Sequence, residues 1–305
     1  MRILLGYDGS DCADAAIEDL ARAGIGSNCE VLVLSGVDVW PHLPASSFQE
    51  LDRQAMVNSS LAVQRAHKLA GQAMEEAREL AKQGAERIRK TLPDAKVKSE
   101  TRPEAPATAL LSMAEQWKPD LLVVGSHGRS ALGRAMLGSV SQTVVTHAPC
   151  SVRVARRRKA PAARGVRLIV GVDGSSDSAA AVSAIAMRSW PADTDVVVLV
   201  ALDVRLALAM PAIDQKADEG TEMWVKAMAE GAAEELRRAG LGTETMLRYG
   251  DPKKVLVEEA RAVDTDCIFV GARGFSRVQR LLLGSVSAAV SARAECSVEV
   301  VRSGS

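Results

Sequence analysis

A segment of 17 residues occurs twice, as GSHGRSALGRAMLGSVS from Gly125 to Ser141 and as GARGFSRVQRLLLGSVS from Gly271 to Ser287, with 9 of 17 positions identical and no gap. The identities are Gly125/Gly271, Gly128/Gly274, Ser130/Ser276, Arg134/Arg280, Leu137/Leu283 and the run Gly138–Ser141 against Gly284–Ser287. Glycines and small hydroxyl residues build little core, so what repeats is a backbone geometry. The repeat reaches further. RILLGYDGS at Arg2–Ser10 matches RLIVGVDGS at Arg167–Ser175, and VLVLSGVDV at Val31–Val39 matches VVVLVALDV at Val196–Val204, both at an offset of 165. Pro106/Pro252, Gly125/Gly271 and Cys150/Cys296 share an offset of 146, so the first copy carries 165 − 146 = 19 extra residues between Val37 and Pro106. The Pro/Ser-rich WPHLPASSFQELDRQ and the helix after it are the expected place. Two copies in 305 residues mean two domains, expected at 1–156 and 166–302, with an Arg/Lys/Pro/Ala linker over 157–165.

Each copy alternates short apolar runs with amphipathic stretches. In the first, strands are expected at Ile3–Tyr7, Glu30–Val37, KVKSETR, DLLVVG and PCSVRVAR, with helices over Asp14–Ala23, Leu61–Thr91, Pro106–Gln116 and from Ser139. In the second, strands begin at Leu168 and Asp195 and continue in TETMLRYG, DCIFVG and ECSVEVVR. Its helices span Ser178–Arg188, Thr221–Ala239 and Pro252–Ala262, with a last one from Ser285. Strand–helix alternation predicts βαβ units with right-handed crossovers, hence two tandem, doubly wound, five-stranded parallel sheets of Rossmann-like α/β type. Strands one, two and four are apolar on both faces, as sheets covered by helices on each side require. Aromatics are only 3% of a chain that is 47% apolar, so Ala, Val and Leu carry that packing.

Formal net charge is zero, so no long-range field draws the chain to nucleic acid or to an acidic surface. The basic run from Arg153 reads as a solvated linker, with phosphate binding as the alternative. No signal-peptide layout or long apolar window is evident, so no membrane span is expected. Five cysteines without CxxC spacing and four histidines without ligand spacing suit a reduced cytoplasm and argue against a disulfide framework or structural metal.

In an open α/β sheet, ligands bind at the carboxyl ends of strands where the winding reverses. Asp-Gly-Ser after strand one and the glycine segment after strand four both fall there, and adjacent strands one and four would make them face across one crevice. Gly125 and Gly128 would let a ligand approach the amides. Gly138, Ser139, Val140 and Ser141 would open a helix whose free N–H groups suit a phosphate. Ser139 and Ser141 offer hydroxyl donors, and Arg134 a counter-charge; Gly271, Gly274, Arg280, Gly284, Ser285, Val286 and Ser287 repeat the arrangement. Bland readings stand beside these. Asp8 and Asp173 can cap the following helix, Ser139 can be an N-cap, Arg134 can be solvated, and His127 has Arg273 as its unlike counterpart.

The pattern G-x2-G-x9-G-S after a strand ending in VVG, paired with an N-terminal DGS, resembles the universal stress protein family in both halves. The resemblance implies a five-stranded parallel sheet of the adenine nucleotide alpha hydrolase type and, in this branch, ATP, ADP or AMP, with Mg2+ accompanying the phosphates. It places Asp8 by the adenosine, Val37 against adenine, and Val124, Gly125, Gly128, Gly138, Ser139 and Val140 around ribose and phosphates, with Gly6 also counted in the ATP site. In the second copy Gly171, Asp173, Leu202, Val270, Gly271, Gly274, Gly284, Ser285 and Val286 take those places. The family's dimers imply a pseudo-dimer through the last strands, Ser151–Ala155 and Ser297–Arg302, and a homodimer of chains and a regulatory protein partner are further expectations. One departure is Glu104-Ala105-Pro106, where Gly250-Asp251-Pro252 keeps the family's Gly-x-Pro. Glu104 would repel a triphosphate if it faced the crevice, making the first site weaker; pointing to solvent, it would change nothing.

The chain has neither a Gly-x4-Gly-Lys-Ser/Thr loop nor a Gly-x-Gly-x2-Gly after a strand, and no positioned base beyond Asp8, Asp173 and His127. A stress-response sensor or regulatory binding module is therefore the leading reading. The rival is a slow ATP hydrolase or nucleotidyl-transfer enzyme, and a third reading is a dimerisation partner with dead pockets.

Overall fold

The computed structural model describes residues 1–39, 61–128, 137–157, 164–203, 215–274 and 283–303. The 21 residues from 40 to 60, which include the Pro/Ser-rich part of the expected insertion, and most of the linker lie outside it, as do Arg134 and Arg280. The first half runs β1 (Arg2–Gly6), α1 (Asp11–Leu20), β2 (Glu30–Gly36), α2 (Leu61–Thr91), β3 (Lys96–Arg102), α3 (Pro106–Trp117), β4 (Leu121–Gly125), α4 (Ser139–His147) and β5 (Ser151–Ala155). The second runs β6 (Arg167–Gly171), α5 (Ser176–Ala186), β7 (Asp195–Leu202), α6 (Gln215–Arg238), β8 (Gly242–Tyr249), α7 (Pro252–Ala262), β9 (Cys267–Gly271), α8 (Ser285–Arg293) and β10 (Ser297–Val301).

Within each half all strand pairs are parallel, in the order β3-β2-β1-β4-β5 and its repeat β8-β7-β6-β9-β10. The winding reverses between β1 and β4, and between β6 and β9. The halves do not form two separate sheets. β5 and β10 pair antiparallel, so ten strands make one continuous sheet.

Helices α1 and α5 begin at Asp11 and Ser176, earlier than expected, because Ser10 and Ser175 are the N-caps; each hydroxyl accepts from the amide three residues on, Ala13 and Ser178, at 3.2 Å. On one face of the sheet Leu4, Leu122, Val124, Val152 and Val154 join Ile268, Val270, Val298 and Val300 in a core that is continuous across the seam. On the other face two cores stay separate. Ile3, Leu5, Val31 and Val123 lie under α1 and α2, and Leu168, Val170, Val198 and Phe269 lie under α5 and α6. Between these two cores, on the seam, sit buried Arg153 and Glu299. None of the described helices is long and apolar enough to cross a membrane.

Candidate functional site

The pairing of β1 with β4 brings the two sequence signatures of the first copy to one crevice of about 550 Å³, within the usual range of about 300–1,000 Å³ for small-molecule sites. Gly6, Asp8, Val37, Val124, Gly125, Gly128, Gly138, Ser139, Val140 and Ser141 all line it. The walls also contain residues that the repeat did not single out. Tyr7 stands behind Asp8, and Ala73, Glu76, Ala77 and Leu80 close the crevice from α2. That set follows helical i, i+3, i+4 spacing, so the signal was present but looked like ordinary core. The Tyr7 hydroxyl donates to Asp14 Oδ1 at 2.7 Å. Burial first, and then this carboxylate, push its phenol up to about 12, so it stays protonated.

Asp8 is not the helix cap. Its Oδ1 accepts from Ser10 N at 3.0 Å and from Ser10 Oγ at 2.6 Å, so it braces the residue that caps. Its Oδ2 faces Gly128, where a Cβ would stand 2.9 Å away. Asp173 repeats both features, with Ser175 N at 2.9 Å, Ser175 Oγ at 2.6 Å, and Oδ2 at 2.8 Å from a Cβ on Gly274. The glycines have a reason besides ligand approach. A Cβ on Gly125 would meet the Cys12 carbonyl oxygen at 2.6 Å, and one on Gly271 would meet the Asp177 carbonyl carbon at 2.6 Å. These two glycines let the first turn of α1 or α5 press onto the end of the strand.

The segment after the loop is held from below. Gly138 N donates to Ser126 O at 2.9 Å, and Gly284 N to Ala272 O at 2.7 Å, so the amides of Gly138 and Gly284 are spent on the protein. Ser141 donates its hydroxyl to Gly125 O at 2.6 Å and Ser287 to Gly271 O at 2.5 Å, so these protons staple the helix to the strand end rather than pointing to a ligand. Ser139 is the first helical residue and Gly138 the N-cap, with no side chain capping the helix; Gly284 and α8 are alike. The first backbone bonds of the two helices are Gln142 N to Gly138 O at 2.8 Å and Ala288 N to Gly284 O at 3.0 Å. The N–H groups of Ser139–Ser141 and Ser285–Ser287 therefore precede any intrahelical partner and carry the positive end of the helix dipole. In contrast α1, α5 and α7 use a Ser or Asp side chain there.

Glu104 does not face the crevice. Its carboxylate accepts from Ser112 Oγ at 3.3 Å and lies 3.9 Å from Arg102, and it is not among the residues lining the crevice, so of the two readings of Glu104 the one without repulsion fits. The copies differ elsewhere. Buried Asp177 holds Arg273 Nε at 2.8 Å and Nη2 at 3.1 Å, whereas the matching pair in the first copy is Cys12 and His127. His127 Nδ1 lies 3.2 Å from Ser126 Oγ, and its buried Nε2 has no partner. Burial alone would raise the Asp177 carboxyl, but the bonds from Arg273 and Ser303 hold it below the usual carboxylate range. In the second copy, Gly171, Leu202 and Val270 lie at the carboxyl ends of β6, β7 and β9, around the same reversal.

A doubly wound α/β repeat, joined to its twin through the last strands and bearing a crevice at the winding reversal, defines the class. The sequence profile of the universal stress protein family matches residues 1–156 and 166–302. The chain belongs to the universal stress protein family. A universal stress protein of Mycobacterium tuberculosis is 29% identical over 322 residues, covering 98% of this chain and 96% of that one. One of Mycolicibacterium smegmatis is 29% identical over 309 residues with the same coverage. The crystal structure of a universal stress protein from Archaeoglobus fulgidus covers 99% of this chain and 98% of its own at a TM-score of 0.65 and 18% identity, a likeness of fold.

Proposed function

We propose that the chain is a two-site adenine-nucleotide sensor, with ATP as the principal ligand and ADP and AMP competing for the same crevices. The observation that carries this reading is the pair of uncapped helix starts. Among the described residues each leaves three backbone N–H groups without an intrahelical partner, the first beside the crevice and the second at the matching winding reversal, where a glycine cap admits close approach of a phosphate. The phosphate cradle is Ser139–Ser141, one residue further on than the glycine spacing alone suggests, with Ser285–Ser287 in the second unit. Adenine lies toward Val37 and the ends of β1 and β2, and Asp8 is the polar group between base and phosphates. The described residues contain no cluster of three acidic, His or Cys side chains, so Mg2+ would be held mainly through the nucleotide's own oxygens. The units are 1–156 and 166–302, and occupancy of their crevices is the signal that a protein partner reads in the cytoplasm.

Calorimetric titration with ATP, ADP, AMP and GTP tests this. Two adenine nucleotides per chain are expected, one lost in Gly128→Val and the other in Gly274→Val. Absence of binding by all three adenine nucleotides at millimolar concentration, or binding untouched in the double variant, would sink the proposal. Steady turnover of Mg-ATP by the pure protein, lost in Asp8→Asn, would favour an enzyme instead.

A further inference from the structure

The seam between the halves is symmetric in shape but not in charge. The register sets Val298 against Val154, Glu299 against Arg153 and Val300 against Val152. At the offset of 146, residues 298, 299 and 300 are the twins of 152, 153 and 154. The internal two-fold axis therefore passes between positions 153 and 299. On a true two-fold axis a residue meets itself; here a base meets an acid.

Arg153 is 1% exposed and Glu299 0% exposed, and Arg153 Nη1 donates to Glu299 Oε2 at 3.1 Å. Arg153 also grips Asp19 through Nε at 2.5 Å and Nη2 at 3.1 Å, while Arg188 Nη1 donates to Glu299 Oε2 at 2.9 Å and Nη2 to Oε1. The four groups run in alternating sign as Asp19, Arg153, Glu299, Arg188. Away from the axis the twins are uncharged: Ala184 matches Asp19 and Ala23 matches Arg188. The outer contacts of the seam do obey the two-fold. Arg156 Nη1 donates to Cys296 O at 3.3 Å and Arg302 Nη1 to Cys150 O at 3.2 Å, and Arg156 N reaches Ser297 Oγ at 3.1 Å as Arg302 N reaches Ser151 Oγ at 3.3 Å. Those contacts would form equally well between two like halves. The central four would not.

We propose that this quartet chooses the partner of each last strand: β5 accepts only a β10, and β10 only a β5. Pairing of β5 with the β5 of a second chain would bury two guanidinium groups face to face, and β10 with β10 would bury two carboxylates, with no counter-charge on the axis. The surface fits the other half of its own chain and refuses the like half of another copy. Nothing in this depends on a ligand in either crevice.

Charge exchange in the full-length chain tests it. Arg153→Glu places acid against acid within one chain, and Glu299→Arg places base against base. Neither variant can close its own seam well, yet a mixture offers two seams that each carry an acid–base pair on the axis, one of them with the whole quartet intact. The new acid at position 153 of one chain meets the new base at position 299 of the other, and the unchanged Arg153 and Glu299 meet likewise. The equimolar mixture, refolded together, is expected to give a species of doubled mass containing one of each, seen by sedimentation and native mass spectrometry. A mixture forming no mixed species, or either variant alone dimerising as well as the mixture, overturns the proposal. Should the charge variants fail to fold, the symmetrised chain D19A/R153V/E299V/R188A keeps the question open to measurement. Refolded at high concentration, it should form a larger dimer fraction through like-with-like seams than the parent does under the same conditions; a fraction no larger than the parent's refutes the selection.

Discussion

Replacing Gly125 with alanine sets a Cβ 2.6 Å from the Cys12 carbonyl oxygen and 2.7 Å from its carbon. Carbon–oxygen contacts in proteins are ordinarily about 3.3 Å or longer, so the first turn of α1 has to retreat by about 0.7 Å. Both sides of this contact are backbone, and the helix is anchored by buried Ala13, Ala16, Ile17 and Leu20 beneath it, so no side chain can simply rotate away. Overpacking of this kind costs about 1–3 kcal/mol. At about 2–4 °C per kcal/mol for chains of this size class, the melting temperature should fall by roughly 4–8 °C for a loss of about 2 kcal/mol. Gly128→Ala is the informative contrast. Among the described residues its Cβ meets only Asp8 Oδ2, at 2.9 Å, the far end of a side chain that can turn. Stability should change by less than about 1 kcal/mol, while the displaced carboxylate disturbs the crevice. Differential scanning fluorimetry without ligand, followed by ATP titration, separates the two. Gly125→Ala should melt early, and Gly128→Ala should melt normally but bind poorly. An unchanged melting temperature in Gly125→Ala would refute the packing explanation of that glycine. So would an equal loss of stability in Gly128→Ala with binding intact.

Two further outcomes follow from unlike features of the copies. Arg273→Ala leaves buried Asp177 with Ser303 alone among the side chains that now hold it, and should cost about 2 kcal/mol, below the 3–5 kcal/mol of a fully buried pair because Arg273 is partly exposed; His127→Ala, opposite the neutral Cys12, should cost less in urea titrations, and equal losses would contradict the assignment. Burial would raise Glu299, but Arg188 and then Arg153 hold it below its ordinary value, and Asp177 is likewise depressed. A depressed carboxyl stabilises fully above its unfolded pKa of about 4 and loses that contribution as pH falls through the folded value. Urea midpoints should therefore fall as acid is added below about pH 4, with a shallower decline in Asp177→Asn; an identical slope in that variant would argue against the linkage.

The fold was legible because its signals are local. β1, β2 and β4 are apolar on both faces, and constant offsets tie each to its twin, so the parallel order needed no side-chain detail. The crevice was half legible. Glycine spacing located Gly128 and Gly138, but whether an amide is free depends on where its partner lies, and Ser126 O claims the one on Gly138. The orientation of Glu104 was left open because sequence position says nothing about rotamer; Arg102 and Ser112 are the partners its carboxylate takes. The pairing of the last strands was expected, but the charge on their seam was not legible. A single charge inside SVRVA and another inside SVEVV are visible in the chain, but their meaning appears only when the register sets one on the other.

The antiparallel join of two parallel half-sheets has a consequence for signalling. The strands of each half point their carboxyl ends one way, and the join turns the second half around, so the two winding reversals lie at opposite rims of the molecule. No single flat surface can touch both. Under the proposed function, a protein reading one site would meet one rim at a time, and two such proteins would have separate rims to occupy. If the proposed function holds, the molecule would in this respect be a two-headed adaptor, with the buried strands between the heads keeping their spacing fixed.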